Sequence, residues 1–147
     1  MILFIGHLEV DPPPAVVFEL LADMADLHRW NPNVQSSRRV SGDRLTTGSM
    51  YHSVIARGPM RMTAHSELVV VDQGRKVEYR GTIARFWSVD SLEFEASGGG
   101  TLITFRNETT VPSLLRPLTP LMNAAFQRQA QRAVDGAARY VAAEASA

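Results

Sequence analysis

Cysteine is absent from this 147-residue chain, and lysine occurs once, at Lys76. Without cysteine there is no disulfide, no thiolate nucleophile and no thiolate metal ligand. The formal net charge is zero, and the basic residues are scattered instead of forming a run. The overall charge therefore attracts neither nucleic acid nor an anionic membrane, and we expect no nucleic-acid partner.

Long hydrophobic runs are also missing, so the sequence predicts no membrane insertion. The apolar start of the chain has no basic residue before it and is interrupted by His7 and Glu9, which favours a strand over a signal peptide. We expect a cytoplasmic protein. No repeat or linker divides the chain, and the Ser97–Gly100 segment reads as a hairpin turn. The sequence therefore predicts one domain over 1–147.

Several catalytic motifs are missing too. The chain has no HExxH, no GxSxG, no P-loop and no GxGxxG opening a helix, which argues against zinc and serine hydrolases, nucleotide enzymes and dinucleotide oxidoreductases. His52 and His65 are predicted to face each other across a hairpin, a spacing that suits a metal. Both fall on the outer face without a third ligand, so we predict no metal site. No cofactor is expected.

The first third of the chain reads as a strand (1–10) followed by two short helices. Asp11 is expected to cap the first helix, with Pro12 as its first residue. Asp23 is expected to cap the second helix, which Asn31-Pro32 ends because a residue before proline avoids helical angles.

Antiparallel strands are predicted from Val34 to Val111. A hairpin turn at 57–59 and alternation along both arms define a more apolar face, which we assign inward. A second turn is predicted at 72–75, after which Val77 and Tyr79 point inward. The inward face of the first hairpin comprises Tyr51, Ser53, Ile55, Met60, Met62, Ala64, Ser66 and Leu68.

The last hairpin pairs its two strands around a four-residue loop at 97–100. Phe94 then faces Ile103, and Asp90 faces Asn107 with Val77 beside it. This face is apolar near the turn and becomes polar deeper in the sheet.

A long C-terminal helix is predicted, with Thr119 as its N-cap and Pro120 as its first residue. Its apolar stripe has helical spacing and can pack only onto the inward face of the strands. The resulting fold is α+β, a helix-grip arrangement in which a curved antiparallel sheet wraps around the helix. The stripe comprises Leu118, Met122, Ala125, Phe126, Gln129, Ala133, Gly136, Ala137, Tyr140 and Val141.

The whole chain resembles the START-like superfamily, also called SRPBCC, in its polyketide cyclase/dehydrase and lipid transport branch. The resemblance is carried by Asp11-Pro12, by Val17-Phe18, by Asp23 followed by Trp30-Asn31-Pro32, by Gly48, by Gly99-Gly100-Thr101 and by the Pro-rich start of the last helix. These are turn, cap and packing residues, so they identify a fold more than an activity. The resemblance implies a cavity between sheet and helix. The family includes lipid carriers, aromatase/cyclases, plant-type receptors and co-chaperone-like domains.

Asp90 is the strongest candidate for a catalytic residue. A carboxyl in an apolar cavity has its pKa raised by desolvation and can act as a general acid or base in a cyclisation or dehydration. The Asn107 amide could orient it or hold an enolate-like oxygen, and Tyr51 and Tyr79 could each present a phenol. The alternative is a solvated Asp90 at the open end of the sheet, and two tyrosines that are ordinary core residues.

The ligand expected in the cavity is a hydrophobic small molecule. The leading hypothesis is a carrier or binding protein. The alternatives are a polyketide aromatase/cyclase or dehydratase, and a protein-interaction module that uses the outer face. Four leucines, at 114, 115, 118 and 121, either cover the cavity or form a homodimer contact. The predicted ligand-binding residues are Trp30, Ile55, Met62, Ser88, Leu92, Phe105, Met122, Phe126 and Gln129.

Overall fold

The computed structural model describes residues 1–146, apart from the side chain of Arg57, so Ala147 of the predicted domain lies outside the described part. The strands are β1 Ile2–Val10, β2 Val34–Ser41, β3 Met50–Arg57, β4 Met60–Asp72, β5 Lys76–Ile83, β6 Phe86–Ser97 and β7 Gly100–Thr110. They form one antiparallel sheet in the order β1-β7-β6-β5-β4-β3-β2. The predicted α+β helix-grip arrangement is confirmed, with β1 and β2 as the two edges of the sheet.

The helices are α1 Pro14–Leu21, α2 Leu27–Trp30 and α3 Thr119–Ala145, and 3₁₀ helices at Met24–Asp26 and Ser113–Leu118 precede α2 and α3. Asp23 caps the first 3₁₀ helix by accepting a hydrogen bond from the Ala25 N–H at 3.0 Å, and α2 ends before Asn31, both as predicted. Within the described residues, no helix is long and apolar enough to span a bilayer.

Two predicted helix starts are wrong. The first helix begins at Pro14, with Pro13 extended before it and no side-chain cap, because Pro12 and Pro13 each precede a proline and avoid helical angles. The last helix begins at Thr119 itself, because the 3₁₀ helix at Ser113–Leu118 runs directly into it and Thr119 N–H bonds Arg116 O.

The predicted register is confirmed in two hairpins and corrected in a third. Arg57 faces Met60 in the first hairpin and Ser97 faces Gly100 in the last, so Asp90 faces Asn107. On its other side, however, Asp90 faces Tyr79 and not Val77. The turn between β5 and β6 is set by Ala84, which adopts a positive φ of 53° without being glycine.

The inner face of the sheet carries two separate apolar clusters. The larger one includes Tyr51, Leu68, Val77, Tyr79, Phe94, Ile103 and Phe105 and packs against α1 and the C-terminal half of α3. The smaller one consists of Val34, Ile55 and Ala64, with Met62 and Ile83 at its border. Met60 was predicted inward but is 60% exposed, because it stands at the tip of the hairpin where nothing covers the sheet.

The C-terminal half of α3 packs tightly, whereas its N-terminal half does not. Val134, Gly136, Ala137 and Val141 are buried, and a Cβ on Gly136 would stand 2.1 Å from the Trp30 carbonyl oxygen. Of the predicted stripe, Leu118 is exposed, and the residues from Met122 to Ala133 are half-buried. Val134, outside the predicted stripe, belongs to the core because α3 is turned toward β1.

Candidate functional site

A polar network lies on the inner face of β6 and β7. The Asn107 amide nitrogen donates to Asp90 Oδ1 at 2.6 Å and to Ser88 Oγ at 3.0 Å. Ser88 Oγ donates to Asp90 Oδ2 at 3.3 Å, and Thr109 Oγ1 donates to Asn107 Oδ1 at 2.7 Å. Strand alternation places all four side chains on one face, and the β6–β7 register brings them together.

The Asp90 carboxyl is the electrostatically unusual member of this network. Burial raises its pKa above 3.8, while the hydrogen bonds from Asn107 and Ser88 act in the opposite direction. Among the ion pairs of the described residues, none includes Asp90. Burial without a cation favours the neutral carboxylic acid, which can donate a hydrogen bond as well as accept one.

Asp90 is not sealed into the core. It lies deep in the molecule, yet both Asp90 and Asn107 retain solvent-accessible surface, whereas Ser88 and Thr109 are fully buried. We call the space over the accessible surface of Asp90 and Asn107, on the inner face of the sheet, the recess.

Apolar side chains lie on the same inner face as this polar network. Phe105 and Leu92 belong to or pack against the larger cluster, and Ile55 and Met62 to the smaller one. Leu27 packs against both clusters. Of these residues, Leu92 and Phe105 are two positions along their strands from Asp90 and Asn107, whereas Ile55 and Met62 lie toward the other end of the inner face, beyond Ile83.

The N-terminal half of α3 contributes the opposite wall. The Phe126 ring contacts the Phe86 ring edge to face, with centroids 5.8 Å apart, and Met122 and Gln129 are half-buried on the same helix. The Gln129 carbonyl accepts a hydrogen bond from the Asn33 side chain at 2.8 Å, which fixes this part of α3 to the segment before β2.

Two inward residues near this wall, Ile83 and Phe86, were not among the predicted site residues. They face each other beside the turn between β5 and β6. Their positions have the same inward parity as Tyr79 and Asp90, so strand alternation was the signal that could have identified them.

Tyr79 faces Asp90 across the ladder, but its hydroxyl is used elsewhere. The phenol donates to Ala22 O at 2.7 Å and accepts from Met24 N–H at 3.0 Å, and burial raises its pKa. These bonds join β5 to the corner between α1 and the following 3₁₀ helix, so the hydroxyl has a structural function at that corner.

Tyr51 lies beyond Tyr79, with the two rings edge to face at 5.4 Å. Burial is the main cause that raises the pKa of Tyr51, and the nearby Asp23 raises it further. Tyr79 and Arg39 are close enough to favour ionisation slightly, yet neither meets hydrogen-bond geometry with the Tyr51 hydroxyl. The structure thus separates Tyr51 from the network at Asp90.

Trp30 is buried against Phe105, with ring centroids 6.2 Å apart. Its indole N–H has no hydrogen-bond partner among the described residues. The Trp30 backbone is in close contact with α3 at Gly136. The residue therefore fills the core at the junction of α2, α3 and the sheet, beside the recess.

Other surface features lie away from this network. Grooves of about 730 and 310 Å³ run along the β4–β5 turn and along α2, respectively, and Asp90 lines neither. We place the candidate site at Asp90 because the buried carboxyl is there. His52 and His65 pack edge to face at 5.1 Å, and no metal-binding group of three or more His, Cys, Asp or Glu occurs in the described part of the chain.

A sequence model of the family described as "Polyketide cyclase / dehydrase and lipid transport" matches residues 4–142. The chain belongs to this family. A comparison with curated protein sequences finds no match. The family assignment confirms the resemblance drawn from the sequence, and it covers nearly the whole chain.

Solved structures share the fold at low sequence identity. The protein TTHA0849 from Thermus thermophilus has a TM-score of 0.81 at 17% identity, covering 97% of this chain and 98% of that one. The Zhui aromatase/cyclase from Streptomyces sp. R1128 has a TM-score of 0.72 at 13% identity, covering 92% and 90%. Ara h 8.0201 has a TM-score of 0.69 at 15% identity, covering 96% and 97%. These similarities are in fold.

Proposed function

We propose that this chain, as one ligand-binding domain, binds an apolar small molecule between the inner face of its sheet and the N-terminal half of α3. The observation that carries the proposal is the Asp90–Asn107 network, which lies deep in the molecule yet keeps accessible surface. Membership of a family of cyclases and lipid transporters supports it.

The arrangement favours a ligand with an apolar body and one polar group. Leu92 lies beside Asp90, and Met62 and Phe126 lie toward the other end of the inner face and on α3; such side chains suit an apolar or aromatic body. A neutral Asp90 would donate a hydrogen bond to a carbonyl or hydroxyl oxygen of the ligand. In a low-dielectric recess such a bond orients the ligand as well as retaining it.

Binding can be tested with Prodan, a planar naphthyl ketone whose emission shifts to the blue in apolar surroundings. The proposal predicts saturable binding with a blue shift. Met62→Trp adds a large ring to the inner face of the sheet, within the proposed site, and should abolish binding, whereas Met60→Trp, two residues along the same strand and 60% exposed, should not. Equal binding by both variants would place the probe elsewhere and overturn the proposal.

The contribution of the polar network is tested in the same assay. Asp90→Leu removes the hydrogen bond to the ketone and should weaken Prodan binding by roughly fivefold, the usual value of one such bond. Asp72→Leu, at the exposed β4–β5 turn, is the control. Unchanged affinity in Asp90→Leu would mean that the ligand does not contact this carboxyl.

A second candidate function, dehydration or cyclisation of a polyketide-like substrate, is favoured by the pairing of Asp90 with Asn107. In a dehydration of a β-hydroxyketone, the neutral carboxyl would give its proton to the departing hydroxyl, which leaves as water. The carboxylate would then accept the α-proton, which restores the acid. Asp90→Asn should abolish such turnover and leave Prodan binding intact. Turnover that survives this change would exclude Asp90 as the acid or base.

A further inference from the structure

Three leucines at the start of the last helix are exposed, although nothing in their chemistry favours contact with water. Leu114 is 93% exposed, Leu121 75% and Leu118 49%. Leu114 and Leu118 lie in the second 3₁₀ helix, and Leu121 follows Leu118 by one turn at the start of α3, so all three are exposed at this one end of the helical segment. We call these residues the leucine tip.

Charge in the same region has one sign. Between Glu108 and Asp135 the chain contains no acidic residue and three arginines, Arg116, Arg128 and Arg132. All three are exposed, and none takes part in an ion pair among the described residues. A chain with zero net charge thus has a positive segment beside its leucine tip.

The arginines of α3 and the leucine tip share one side of the molecule. Arg128 and Arg132 follow Leu121 by seven and eleven residues, which returns them to the same side of the helix. Met122 and Phe126 lie on the other side, toward the sheet. Exposed leucines next to a basic band on the same side can enter a membrane interface while the arginines contact anionic headgroups.

We propose that the leucine tip docks this protein peripherally on an anionic lipid bilayer. The leucines enter the boundary between headgroups and acyl chains, and the arginines contact lipid phosphates. Such docking needs no helix that crosses the membrane, and it brings the N-terminal half of α3 next to the lipid. This surface is separate from the recess at Asp90, so docking does not depend on the proposed ligand binding.

The test is co-sedimentation of the full chain with vesicles of phosphatidylcholine and phosphatidylserine mixed about 3:1, and with phosphatidylcholine alone. Wild type should sediment with the anionic vesicles and much less with the neutral ones. Leu114→Glu/Leu121→Glu should lose binding by at least about tenfold. The matched control is Val16→Glu/Val40→Glu, which adds the same charge at two apolar side chains exposed elsewhere, and it should bind like wild type.

The electrostatic part is tested with Arg128→Gln/Arg132→Gln. A loss of about fivefold for each arginine is expected at low salt, because each contributes about one favourable phosphate contact, and this loss should shrink at high salt. Arg38→Gln/Arg75→Gln, changed at two exposed arginines away from α3, should have no effect. Equal losses in both double variants would overturn the proposal.

Sedimentation velocity without lipid tests whether the leucine tip is instead a contact between two copies of this chain. If wild type is a dimer that Leu114→Glu/Leu121→Glu converts to a monomer, the leucine tip is a contact between two copies and the membrane proposal is wrong. Wild type that takes up Prodan but does not sediment with either vesicle also overturns it, while leaving the proposed ligand binding intact.

Discussion

The side-chain amide of Asn107 donates to Asp90 Oδ1 at 2.6 Å across the β6–β7 ladder, with no cation within ion-pair distance of that carboxyl among the described residues. Strand register alone places this carboxyl group and its hydrogen-bond donor together on the inner face of the sheet. It also implies that Asp90 influences the stability of the fold.

Asp90→Asn should remove a pH dependence of stability. The pKa of Asp90 is raised in the folded chain by burial, so the folded state holds its proton at pH values where the unfolded chain has released it. The stability that this carboxyl contributes is therefore fully present below about pH 3.8 and is lost as the pH rises through the pKa of the folded state. At neutral pH the amide variant should unfold at higher denaturant concentration than wild type.

The measurement is urea unfolding of both proteins over a pH series, with Asp72→Asn at the exposed turn as the control. The difference between wild type and Asp90→Asn should vanish at the acid end. A variant that is less stable than wild type at neutral pH would show that the buried carboxylate is well compensated, contrary to our account.

Asn107→Leu should destabilise the fold by roughly 1–3 kcal/mol, because Asp90, Ser88 and Thr109 each lose a partner. Leucine at both positions, in Asp90→Leu/Asn107→Leu, should recover part of that loss, since the buried Asp90 carboxyl is no longer left without its donor and only the Ser88 and Thr109 hydroxyls lose partners. A double-mutant cycle of unfolding free energies checks this. Simple additivity of the two single changes would mean that the residues are not coupled.

The two inward tyrosines should respond differently to loss of the hydroxyl. Tyr79→Phe leaves Ala22 O and Met24 N–H without their partner and should cost roughly 1–3 kcal/mol of unfolding free energy. Tyr51→Phe removes a hydroxyl without a hydrogen-bond partner and should be neutral or slightly stabilising. Chemical denaturation of both variants makes the comparison, and equal losses would contradict the hydrogen bonding described here.

Gly136→Ala should destabilise the protein although alanine favours a helix. Helix propensity alone predicts a gain of about 1 kcal/mol, but the added Cβ would stand 2.1 Å from the Trp30 carbonyl oxygen and 2.7 Å from Pro32 Cδ. To relieve these contacts, α3 must move away from the end of α2, and this should lower the midpoint of thermal unfolding. A higher midpoint would show that the contact can relax without cost.

The parts of the fold that were predictable from sequence are those fixed by local chemistry. The Gly-rich loop at 97–100 sets the register of the last hairpin, and that register alone places Asp90 opposite Asn107. Asp23 caps the Met24–Asp26 helix because its short carboxyl reaches the Ala25 N–H. The family resemblance, resting on turn and cap residues, gave the architecture that the strands and α3 confirm.

What was not predictable depends on tertiary contacts or on unusual backbone. The turn at Ala84 has no glycine or asparagine to mark its positive φ, so the pairing of Asp90 with Tyr79 had no sequence signal. The helical stripe was wrong at Leu118 and Val134, because contact with β1 decides how α3 is turned. Nor could sequence distinguish the two tyrosines, since only packing decides which hydroxyl meets the backbone.

Native mass spectrometry of the purified full chain, followed by organic extraction, tests the central claim most directly. We predict a discrete adduct, lost on denaturation, that is an apolar molecule with one polar group. The adduct should be retained by Met60→Trp and absent from Met62→Trp. A ligand-free mass in wild type that persists after incubation with Prodan, or an adduct that both tryptophan variants keep, would contradict a binding site between the sheet and α3.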